Sequence, residues 1–372
     1  MVLAQEESFS IEEVSVAGYE KVYKVTNKHV GLNAIICIHS TAMGPSLGGT
    51  RIYPYSSYEA AMSDVMRLAR GMTYKSLLSE TGWGGAKSVI ICDPKRGKTR
   101  EMLQAFGLAV NSLGGEYICA EDVGSTPEDM ALISQVNPYV VGLPYEDSSG
   151  NPSPFTAWGT FRGIQSALHK LYGSDSLENR VVAVQGLGSV GWELVHFLFW
   201  HGAKLVVTDI DAEKCHKVAK ATGAQVVSPE EILYVPCDVL APCAMGGVIS
   251  EKTIPRLRCR AIAGSANNQL MKDSDAEELF ARNILYAPDF VINAGGLINV
   301  SSELDPQGYN PFAARRRVDQ IYDKLVLIYN IAQQNRCSTQ KACMMLADYR
   351  LKYGVGKRVE PPCFHHALQK KT

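Results

Sequence analysis

Residues 181–211 read VVAVQGLGSVGWELVHFLFWHGAKLVVTDID, and their pattern predicts a βαβ unit. Val181–Gln185 is a short apolar run with β-branched residues, which is typical of a strand buried on both faces. A GxGxxG pattern follows, formed by Gly186, Leu187, Gly188, Ser189, Val190 and Gly191. Helical spacing of apolar residues continues over Trp192–Trp200, and Lys204–Thr208 predicts a second strand that ends on Asp209.

The glycines of this pattern are suited to binding a dinucleotide. Gly186 permits the tight turn, Gly188 lets the backbone approach a pyrophosphate, and Gly191 lets the helix pack against the sheet. The free N–H groups at the start of the helix attract phosphates. Asp209, about 20 residues downstream, is placed to accept hydrogen bonds from the adenosine ribose. This order of features favours a dinucleotide site over an ordinary turn that happens to be rich in glycine.

Asp209 also bears on which dinucleotide binds. A carboxylate at this position repels the 2′-phosphate of NADP, so we expect NAD as the cofactor. Lys214 follows closely in the sequence and could pair with a phosphate, which leaves NADP open as an alternative.

The composition indicates a soluble globular enzyme in the cytoplasm. With 372 residues the chain can form two domains, and its net charge of −1 argues against nucleic acid or an anionic membrane as partner. No apolar run is long enough to cross a bilayer, and residues 1–14, MVLAQEESFSIEEV, lack the features of a signal peptide. The ten cysteines show no CxxC spacing, and His365–His366 has no second ligand cluster, so we expect reduced thiols and no metal site.

Strands and helices are expected to alternate along the chain. We expect strands at Tyr19–Thr26, Leu32–His39, Lys87–Cys92, Tyr117–Ala120, Asp238–Ala241, Ala261–Ala263 and Phe290–Asn293. We expect further helices at Ser57–Gly71, Arg100–Leu113, Thr126–Gln135, Phe155–Leu171, Ala313–Gln334 and Ser338–Tyr353. TAMGPSLGGTRIYPY, residues 41–55, predicts a loop that leads into a short strand. The break in composition at Ser148–Ala157 predicts one domain over residues 1–150 and a second over 151–335, with the segment from about 336 to 372 packing back on the first.

Two lysines and an aspartate in the first half carry the chemistry. Lys87 follows GGA at the start of a buried strand, where desolvation should lower its pKa and make it usable as a base or to activate water. Lys75 ends the run RLARGMTYK. Asp122 follows the strand YICA, where ligands of open α/β sheets gather, and it can exchange protons with an amine or water. Considered alone, solvated loop lysines and a capping or turn aspartate remain alternatives.

Several motifs together resemble one family. MTYK, GGAK, AEDVG, SGNPSPFTAWGTFRGI, VQGLGSVG, VTDID, APCAMGGVI, IAGSANNQL and APDFVINAGGLINV occur in the order seen in the Glu/Leu/Phe/Val dehydrogenase superfamily, and the chain is most similar to its leucine dehydrogenases. The resemblance implies reversible deamination of an L-amino acid to its 2-oxo acid and ammonium, with NAD accepting the hydride. It also implies an α/β fold of two domains with a cleft between them, one with a mixed sheet and one of Rossmann type, in a homo-oligomer, by resemblance an octamer.

The resemblance also assigns roles to residues. It implies that Lys75 binds the substrate carboxylate, that Lys87 polarises the imino or carbonyl centre and assists water, and that Asp122 moves protons to and from the amine. The matching substrate positions are Leu47, Gly48, Gly49, Val291 and Asn293. The matching cofactor positions beyond the glycine pattern and Asp209 are Thr156, Ala241 and Asn267.

Leu47 predicts the substrate class. In relatives that use glutamate, a lysine stands before the Gly-Gly pair and binds the side-chain carboxylate, which a leucine cannot do. An apolar side chain gains about 0.8 kcal/mol per CH₂ buried there, which favours leucine, valine or isoleucine. PSPFTAWGTF is closer to the phenylalanine enzymes, so phenylalanine is an alternative substrate, and a catalytically silent NAD-binding relative is another reading. A 2-hydroxy acid dehydrogenase is disfavoured because none of the histidines stands in an acid/base setting.

Overall fold

The computed structural model describes residues 9–145 and 148–365. The chain divides into two compact units. The first unit comprises Met1–Gly150, Val300–Asn310 and Arg350–Thr372, and the second comprises Asn151–Asn299 and Pro311–Tyr349. The sequence predicts a return of the chain to the first domain near residue 336, whereas the first unit includes a short return at residues 300–310 and a second one from Arg350 onward.

The first unit contains a mixed sheet, as the resemblance implies, and this sheet has six strands. The strands are β1 Ser10–Glu13, β2 Lys21–Asn27, β3 Leu32–Ser40, β4 Ser46–Tyr53, β5 Gly84–Ile91 and β6 Tyr117–Glu121. Their order across the sheet is β1-β2-β3-β5-β4-β6. Neighbours from β1 to β5 pair antiparallel, whereas β4 pairs parallel with β5 and with β6. Strand β4 therefore lies between the strands that carry Lys87 and Asp122.

Helices cover both faces of this sheet. They are α1 Tyr58–Ser79, α2 Arg100–Ser112 and α3 Pro127–Ser134. Ile35 on β3 packs with α1 residues such as Val65, whereas its neighbour Ile36 packs with Phe106 of α2 and Ile133 of α3, because successive strand residues face opposite sides.

Strand β4 and helix α1 are both longer than the sequence predicts. A loop is expected over residues 41–55, but β4 already begins at Ser46. Glycine has a weak strand propensity, yet this segment forms a strand because it is paired on both edges, with β5 and with β6. A Cβ on Gly48 would stand 1.8 Å from the Ala86 carbonyl oxygen, so only glycine fits. Helix α1 continues eight residues past Gly71, and a Cβ on Gly85 would stand 2.1 Å from the Thr73 nitrogen, which shows how closely the helix approaches β5.

The second unit contains a sheet of six parallel strands. They are β7 Val181–Gln185, β8 Lys204–Thr208, β9 Gln225–Val226, β10 Cys237–Pro242, β11 Cys259–Ile262 and β12 Leu285–Tyr286, in the order β12-β11-β10-β7-β8-β9. The bounds of β7 and β8 are those predicted. The strand order reverses between β7 and β10, which is where open α/β sheets bind ligands.

The described residues of the second unit and its borders contain nine α-helices. They are α4 Ser153–Tyr172, α5 Ser189–Trp200, α6 Ala212–Thr222, α7 Asp275–Ala281, α8 Asp289–Ile292, α9 Gly295–Ser301, α10 Pro311–Asp319, α11 Ile321–Asn335 and α12 Thr339–Tyr353.

Two predictions in this region are wrong. Residues 290–293 form no strand but belong to the turn of helix α8 and its C-cap, because a short apolar run has no periodicity that separates strand from helix. Asp289 starts this helix and its side chain accepts hydrogen bonds from the Phe290 and Gln269 N–H groups. The single helix expected over Ala313–Gln334 is two helices, α10 and α11, separated at Gln320. A break of one residue leaves the apolar spacing almost unchanged and is therefore invisible in the pattern.

Candidate active site

Lys87 and Asp122 form an ion pair in the first unit. Lys87 lies within β5 and Asp122 directly follows β6, on either side of β4. The Lys87 Nζ is 3.0 Å from Asp122 Oδ1, and the lysine is only 6% exposed. The structure thus brings together the two residues that the sequence analysis singles out as catalytic, although they are far apart in the chain.

Gly49 of β4 provides the space in which this pair meets. A Cβ at Gly49 would lie 2.7 Å from the Glu121 carbonyl oxygen, 2.9 Å from Asp122 Cβ and 3.0 Å from Lys87 Nζ. Any side chain there would displace the pair. Gly48, next along the strand, is held against the backbone of β5 as described above.

Arg51 is a third member of the site that the sequence analysis misses. Its Nε donates to Asp122 Oδ2 at 2.9 Å, and its Nη1 donates to Asp64 Oδ2 of α1 at 2.9 Å. Tyr55 Oη and Arg67 Nη2 also donate to Asp64, at 2.6 and 3.0 Å. The signal that could have found it is the period of two along β4, which puts Arg51 on the same face as Gly49.

The charges around Asp122 keep it ionised. Burial alone would raise the pKa of the Asp122 carboxyl, but Lys87 and Arg51 together outweigh burial and lower its pKa. The pKa of Asp64 is also lowered, because hydrogen bonds from Tyr55 and the arginines outweigh its burial. Burial and two neighbouring carboxylates, Glu128 and Asp122, instead raise the pKa of Glu121.

The backbone after β6 is held in place by a serine. The Asp122 N–H donates to Ser125 Oγ at 2.8 Å, and this hydroxyl donates to the Thr50 carbonyl oxygen of β4 at 2.8 Å. Gly124 has a φ of 83°, and a Cβ there would stand 2.0 Å from the Ile52 carbonyl oxygen. The segment that carries Asp122 is therefore tied to β4 at two points.

The remaining predicted substrate residues of the first unit lie on α1 and β4. Lys75 is half-buried near the end of α1. Leu47 is 1% exposed and stands between Gly85 of β5 and Ile118 of β6 in the sheet register.

In the second unit, the three glycines of the GxGxxG pattern are sterically distinct. Gly186 has a φ of 96°, and a Cβ there would lie 2.7 Å from Ala244 Cβ. A Cβ on Gly191 would stand 2.0 Å from the Gly186 carbonyl oxygen, so this glycine permits the close approach of α5 to the turn. A Cβ on Gly188 would meet no described atom within 4 Å.

This open space at Gly188 fits a bound pyrophosphate. Gly188 is the N-cap of α5 and offers no side chain to the N–H groups of the first turn. Leu187 is buried, whereas Ser189 is exposed and Val190 half-buried in that turn. The residues present therefore suit the phosphates of a dinucleotide.

Asp209 stands at the end of β8 beside the glycine turn. Its Oδ2 accepts the Leu187 N–H at 2.6 Å and its Oδ1 accepts the Asp211 N–H at 2.9 Å. Each carboxylate oxygen has a further lone pair, so the ribose can still be bound. A cavity of about 720 Å³ adjoins Asp209, and its lining includes Ala212, Cys215, His216, Val226 and Ser228.

Asn293 and Asn267 are brought together in the same unit. Asn293 Nδ2 donates to Asn267 Oδ1 at 2.7 Å and to the Ser265 carbonyl oxygen at 3.2 Å. Asn293 is 6% exposed, and its Oδ1 has no hydrogen-bond partner among the described residues, so it is free to accept from a ligand.

The other predicted positions are packed more tightly. Val291 is 1% exposed on α8. Ala241 is buried on β10 opposite Val184. Thr156 lies in the first turn of α4, where its hydroxyl donates to the Pro152 carbonyl oxygen at 3.1 Å.

The described residues contain neither a disulfide nor a cluster of metal ligands. All ten cysteines are free thiols. Residues 9–145 and 148–365 contain no group of three or more His, Cys, Asp or Glu side chains that could hold a metal ion, and His366 lies outside them. No helix in this part of the chain has the length and apolar character needed to cross a bilayer.

Comparison with known proteins agrees with this geometry. Residues 19–138 match the family described as Glu/Leu/Phe/Val dehydrogenase, dimerisation domain, and residues 207–351 match Glutamate/Leucine/Phenylalanine/Valine dehydrogenase. A leucine dehydrogenase from Geobacillus stearothermophilus is 46% identical over 95% of this chain and 96% of its own. A phenylalanine dehydrogenase from Caldalkalibacillus thermarum is 42% identical over 90% of this chain and 92% of its own.

A solved structure extends the likeness to three dimensions. The crystal structure of L-tryptophan dehydrogenase from Nostoc punctiforme superimposes with a TM-score of 0.80 at 43% identity, covering 91% of this chain and 97% of that one. The chain therefore belongs to the Glu/Leu/Phe/Val dehydrogenase family, the amino acid dehydrogenases that use a nicotinamide cofactor.

Proposed function

We propose that this enzyme catalyses the NAD-dependent oxidative deamination of L-leucine, and of valine and isoleucine, to the 2-oxo acid and ammonium. The observation that carries the proposal is the buried pair of Lys87 and Asp122, with 3.0 Å between Nζ and Oδ1. The balanced reaction consumes one amino acid, one NAD⁺ and one water, and it yields one 2-oxo acid, one ammonium, one NADH and one proton.

Three residues of the first unit act on the substrate, each with its own role: Lys87, Asp122 and Lys75. Asp122 is a carboxylate at neutral pH and accepts a proton from the substrate ammonium, which frees the nitrogen lone pair. Lys87 then places a cation beside the carbon that water attacks and stabilises the oxygen that develops negative charge. Lys75 pairs with the substrate α-carboxylate and fixes its orientation.

The cofactor supplies the redox step. When bound, the nicotinamide ring accepts the hydride that leaves the substrate Cα. The uncapped start of α5 at Gly188 would hold the pyrophosphate, with Ser189 and Val190 in the same turn. Asp209 binds the ribose and disfavours a 2′-phosphate, which supports NAD over NADP. Thr156, Ala241 and Asn267 are the further cofactor positions, and Asn293 offers its free acceptor to the substrate or to the nicotinamide amide.

The apolar character of two predicted substrate positions supports a branched aliphatic substrate. Leu47 and Val291 are both apolar, and neither can pair with the side-chain carboxylate of glutamate. Five leucine dehydrogenases are 45–47% identical to this chain, compared with 42% for the phenylalanine dehydrogenase.

The aromatic motif that resembles the phenylalanine enzymes has a packing role within the second unit. Trp158 stacks on Phe161 at 5.2 Å between ring centroids and meets Phe197 edge-on at 5.3 Å. Its Nε1 donates to Asp319 Oδ1 of α10 at 2.6 Å. These contacts account for Trp158 and Phe161 without an aromatic substrate, which favours leucine over phenylalanine.

The enzyme is further proposed to be a homo-oligomer, and an octamer by family resemblance. The match of residues 19–138 to a family described as a dimerisation domain supports contacts through the first unit. The cytoplasmic location stays a prediction from the sequence.

A substrate and cofactor panel tests the proposal. NADH or NADPH formation is followed with leucine, valine, isoleucine, phenylalanine and glutamate, each with NAD and with NADP. We expect the highest kcat/KM for a branched aliphatic amino acid with NAD. Glutamate as the best substrate would overturn the argument from Leu47, and NAD binding without turnover of any amino acid would identify a silent relative.

A further inference from the structure

The Asp122 carboxylate is held by two cations that reach it from different strands. Lys87 of β5 stands 3.0 Å from Oδ1, and Arg51 Nε of β4 stands 2.9 Å from Oδ2. The proposed chemistry uses only the first of these contacts. The second therefore needs an explanation of its own.

Arg51 is itself fixed on its far side. Its Nη1 is 2.9 Å from Asp64 Oδ2, and the side chains of Arg51 and Asp64 are only 19% and 17% exposed. Asp64 is held in turn by the hydroxyl of Tyr55 and by Arg67. The planar guanidinium thus spans two carboxylates in a chain of directed hydrogen bonds from α1 to the end of β6.

The type of cation on each oxygen has a chemical consequence. An arginine does not lose its proton in proteins, whereas a lysine can. If Lys87 were the sole partner, any change in its charge during the reaction would leave Asp122 buried without a counter-charge. With Arg51 on the other oxygen, the carboxylate keeps a permanent cation at every stage.

We propose that Arg51 is the positioning residue for Asp122, fixing the orientation of its carboxylate and keeping it ionised for proton transfer, with Asp64 as the support of Arg51. This inference rests on the proposed function for its catalytic consequence. The structural part of the inference, the effect of Arg51 on the Asp122 carboxylate, can be measured without any turnover.

The electrostatic surroundings of Asp122 agree with this role. The charged groups that face it are Lys87 of β5, Arg51 of β4 and Glu121 at the end of β6. Burial raises the pKa of the Asp122 carboxyl, and Lys87 and then Arg51 lower it. Glu121 acts in the opposite direction to the cations, because two neighbouring carboxylates repel. Loss of Arg51 therefore raises the pKa of Asp122.

The test compares Arg51→Gln and Arg51→Lys with Arg67→Gln as a matched control. Arg67 also pairs with Asp64, but its side chain is 61% exposed, and its contact with Asp64 does not extend to Asp122. For Arg51→Gln we expect kcat for leucine at neutral pH to fall about 100-fold, as for a misplaced catalytic group, with NAD affinity unchanged. The acidic limb of the pH profile should move to higher pH, so that the defect shrinks as the pH rises.

The conservative variant should behave differently. Arg51→Lys restores the charge but has no planar fork to reach both Asp122 and Asp64, so we expect a smaller loss and a smaller shift of the acidic limb. Arg67→Gln removes only the exposed partner of Asp64, so we expect it to lower kcat far less than Arg51→Gln and to leave the acidic limb unshifted. An Arg51→Gln enzyme that loses activity and thermal stability with an unshifted acidic limb would overturn the proposal in favour of a purely structural role.

A second readout separates this inference from the proposed function. The Asp122 carboxyl is titrated by NMR in protein labelled with ¹³C at the aspartate side chains, and its signal is assigned by its loss in Asp122→Asn. We expect it to titrate at higher pH in Arg51→Gln and Arg51→Lys than in the wild type. An unchanged titration would refute the role of Arg51, whereas wild-type protein that turns over no amino acid would refute the proposed function alone.

Discussion

At the scale of single residues, the site depends on the absence of a side chain at Gly49. Lys87 and Asp122 meet over Gly49, where any Cβ would lie within 3.0 Å of both residues and of the Glu121 carbonyl oxygen. A Cβ atom essentially never stands this close to another heavy atom in proteins, so a side chain at Gly49 must displace the pair. Gly49 is thereby a condition of the ion pair, although it contributes no polar group to it.

Gly49→Ala tests this relation. We expect the methyl group to move Asp122 away from Lys87 and to lower kcat about 100-fold, as a displacement near 1 Å does at other active sites. Overpacking should also cost about 1–3 kcal/mol of unfolding free energy. Steady-state kinetics and urea unfolding measure the two effects, and unchanged kinetics would show that the space at Gly49 is not required.

Gly188 and Gly191 of the second unit are suited to a matched comparison, because alanine at the two positions should affect the stability of the protein differently. Gly188→Ala adds a methyl group where no described atom lies within 4 Å, at a φ of −70° that alanine adopts readily. We therefore expect the unfolding free energy without cofactor to change by less than about 0.5 kcal/mol, while NAD affinity falls because the methyl group occupies the approach of the pyrophosphate.

Gly191→Ala should instead destabilise the protein without cofactor, because its Cβ would stand 2.0 Å from the Gly186 carbonyl oxygen. Thermal unfolding and NAD titration calorimetry measure both variants. Full NAD affinity in Gly188→Ala would contradict the placement of the pyrophosphate.

The lowered pKa of Asp122 predicts how stability depends on pH. The unfolded carboxyl takes up its proton at higher pH than the folded one, so the pair stabilises the fold above the ordinary pKa of aspartate and loses this contribution as the pH falls through the lowered value. Asp122→Asn should cost about 3 kcal/mol at neutral pH, since it removes the carboxylate that faces the buried Lys87, while Arg51 keeps its contact with Asp64. The difference in unfolding free energy from wild type should shrink towards acidic pH, and a constant difference across the range would contradict the argument.

At the scale of elements, sequence patterns predict best where local and long-range forces agree. Strands β7 and β8 have the predicted bounds because β-branched runs, buried on both faces, end at glycine or aspartate turns. Strand β4 disagrees, because its Gly48 and Gly49 weaken the strand pattern and are required by contacts with β5 and β6 that no local window contains. The sequence pattern predicts a strand at the turn of helix α8, because three consecutive apolar residues carry no period.

The same distinction applies to the residues of the site. The glycine pattern and Asp209 lie within one short stretch of sequence. Lys87 and Asp122 each lie in a recognisable motif, GGAK and AEDVG. Arg51 is distinguished by its hydrogen bond to a carboxylate 71 residues away, which only the sheet order β5-β4-β6 brings near. In the sequence, its role is signalled only by the alternation of side chains along β4, which puts Arg51 on the same face as Gly49.

At the scale of the whole molecule, the chain builds each unit from separate segments. The last segment returns to the first unit at Arg350, whose side chain is 6% exposed and donates to the Leu77 and Leu78 carbonyl oxygens at 2.9 and 3.1 Å and to Glu80. Arg358 follows, 4.1 Å from the ring centroid of the buried Trp83. These contacts fix the returning segment against the end of α1 and against Trp83, the residue before β5, the strand that carries Lys87.

Arg350→Gln tests the importance of this return. We expect a loss of about 2–3 kcal/mol in unfolding free energy, because two buried carbonyl groups and Glu80 lose a charged donor. Hydrogen exchange should increase at the end of α1 and in β5 more than in β7 and β8. Uniform exchange in all of these elements would indicate that the return does not stabilise the first unit selectively.

The turnover of Lys87→Ala is the sharpest test of the role proposed for this lysine. NADH formation from leucine is measured beside NAD binding, with Lys98→Ala as the control, because Lys98 is also partly buried and paired with a carboxylate, Asp129, outside the site. The account predicts that Lys87→Ala loses turnover by about 1,000-fold or more and still binds NAD, whereas Lys98→Ala retains turnover. Near-normal turnover in Lys87→Ala would contradict it.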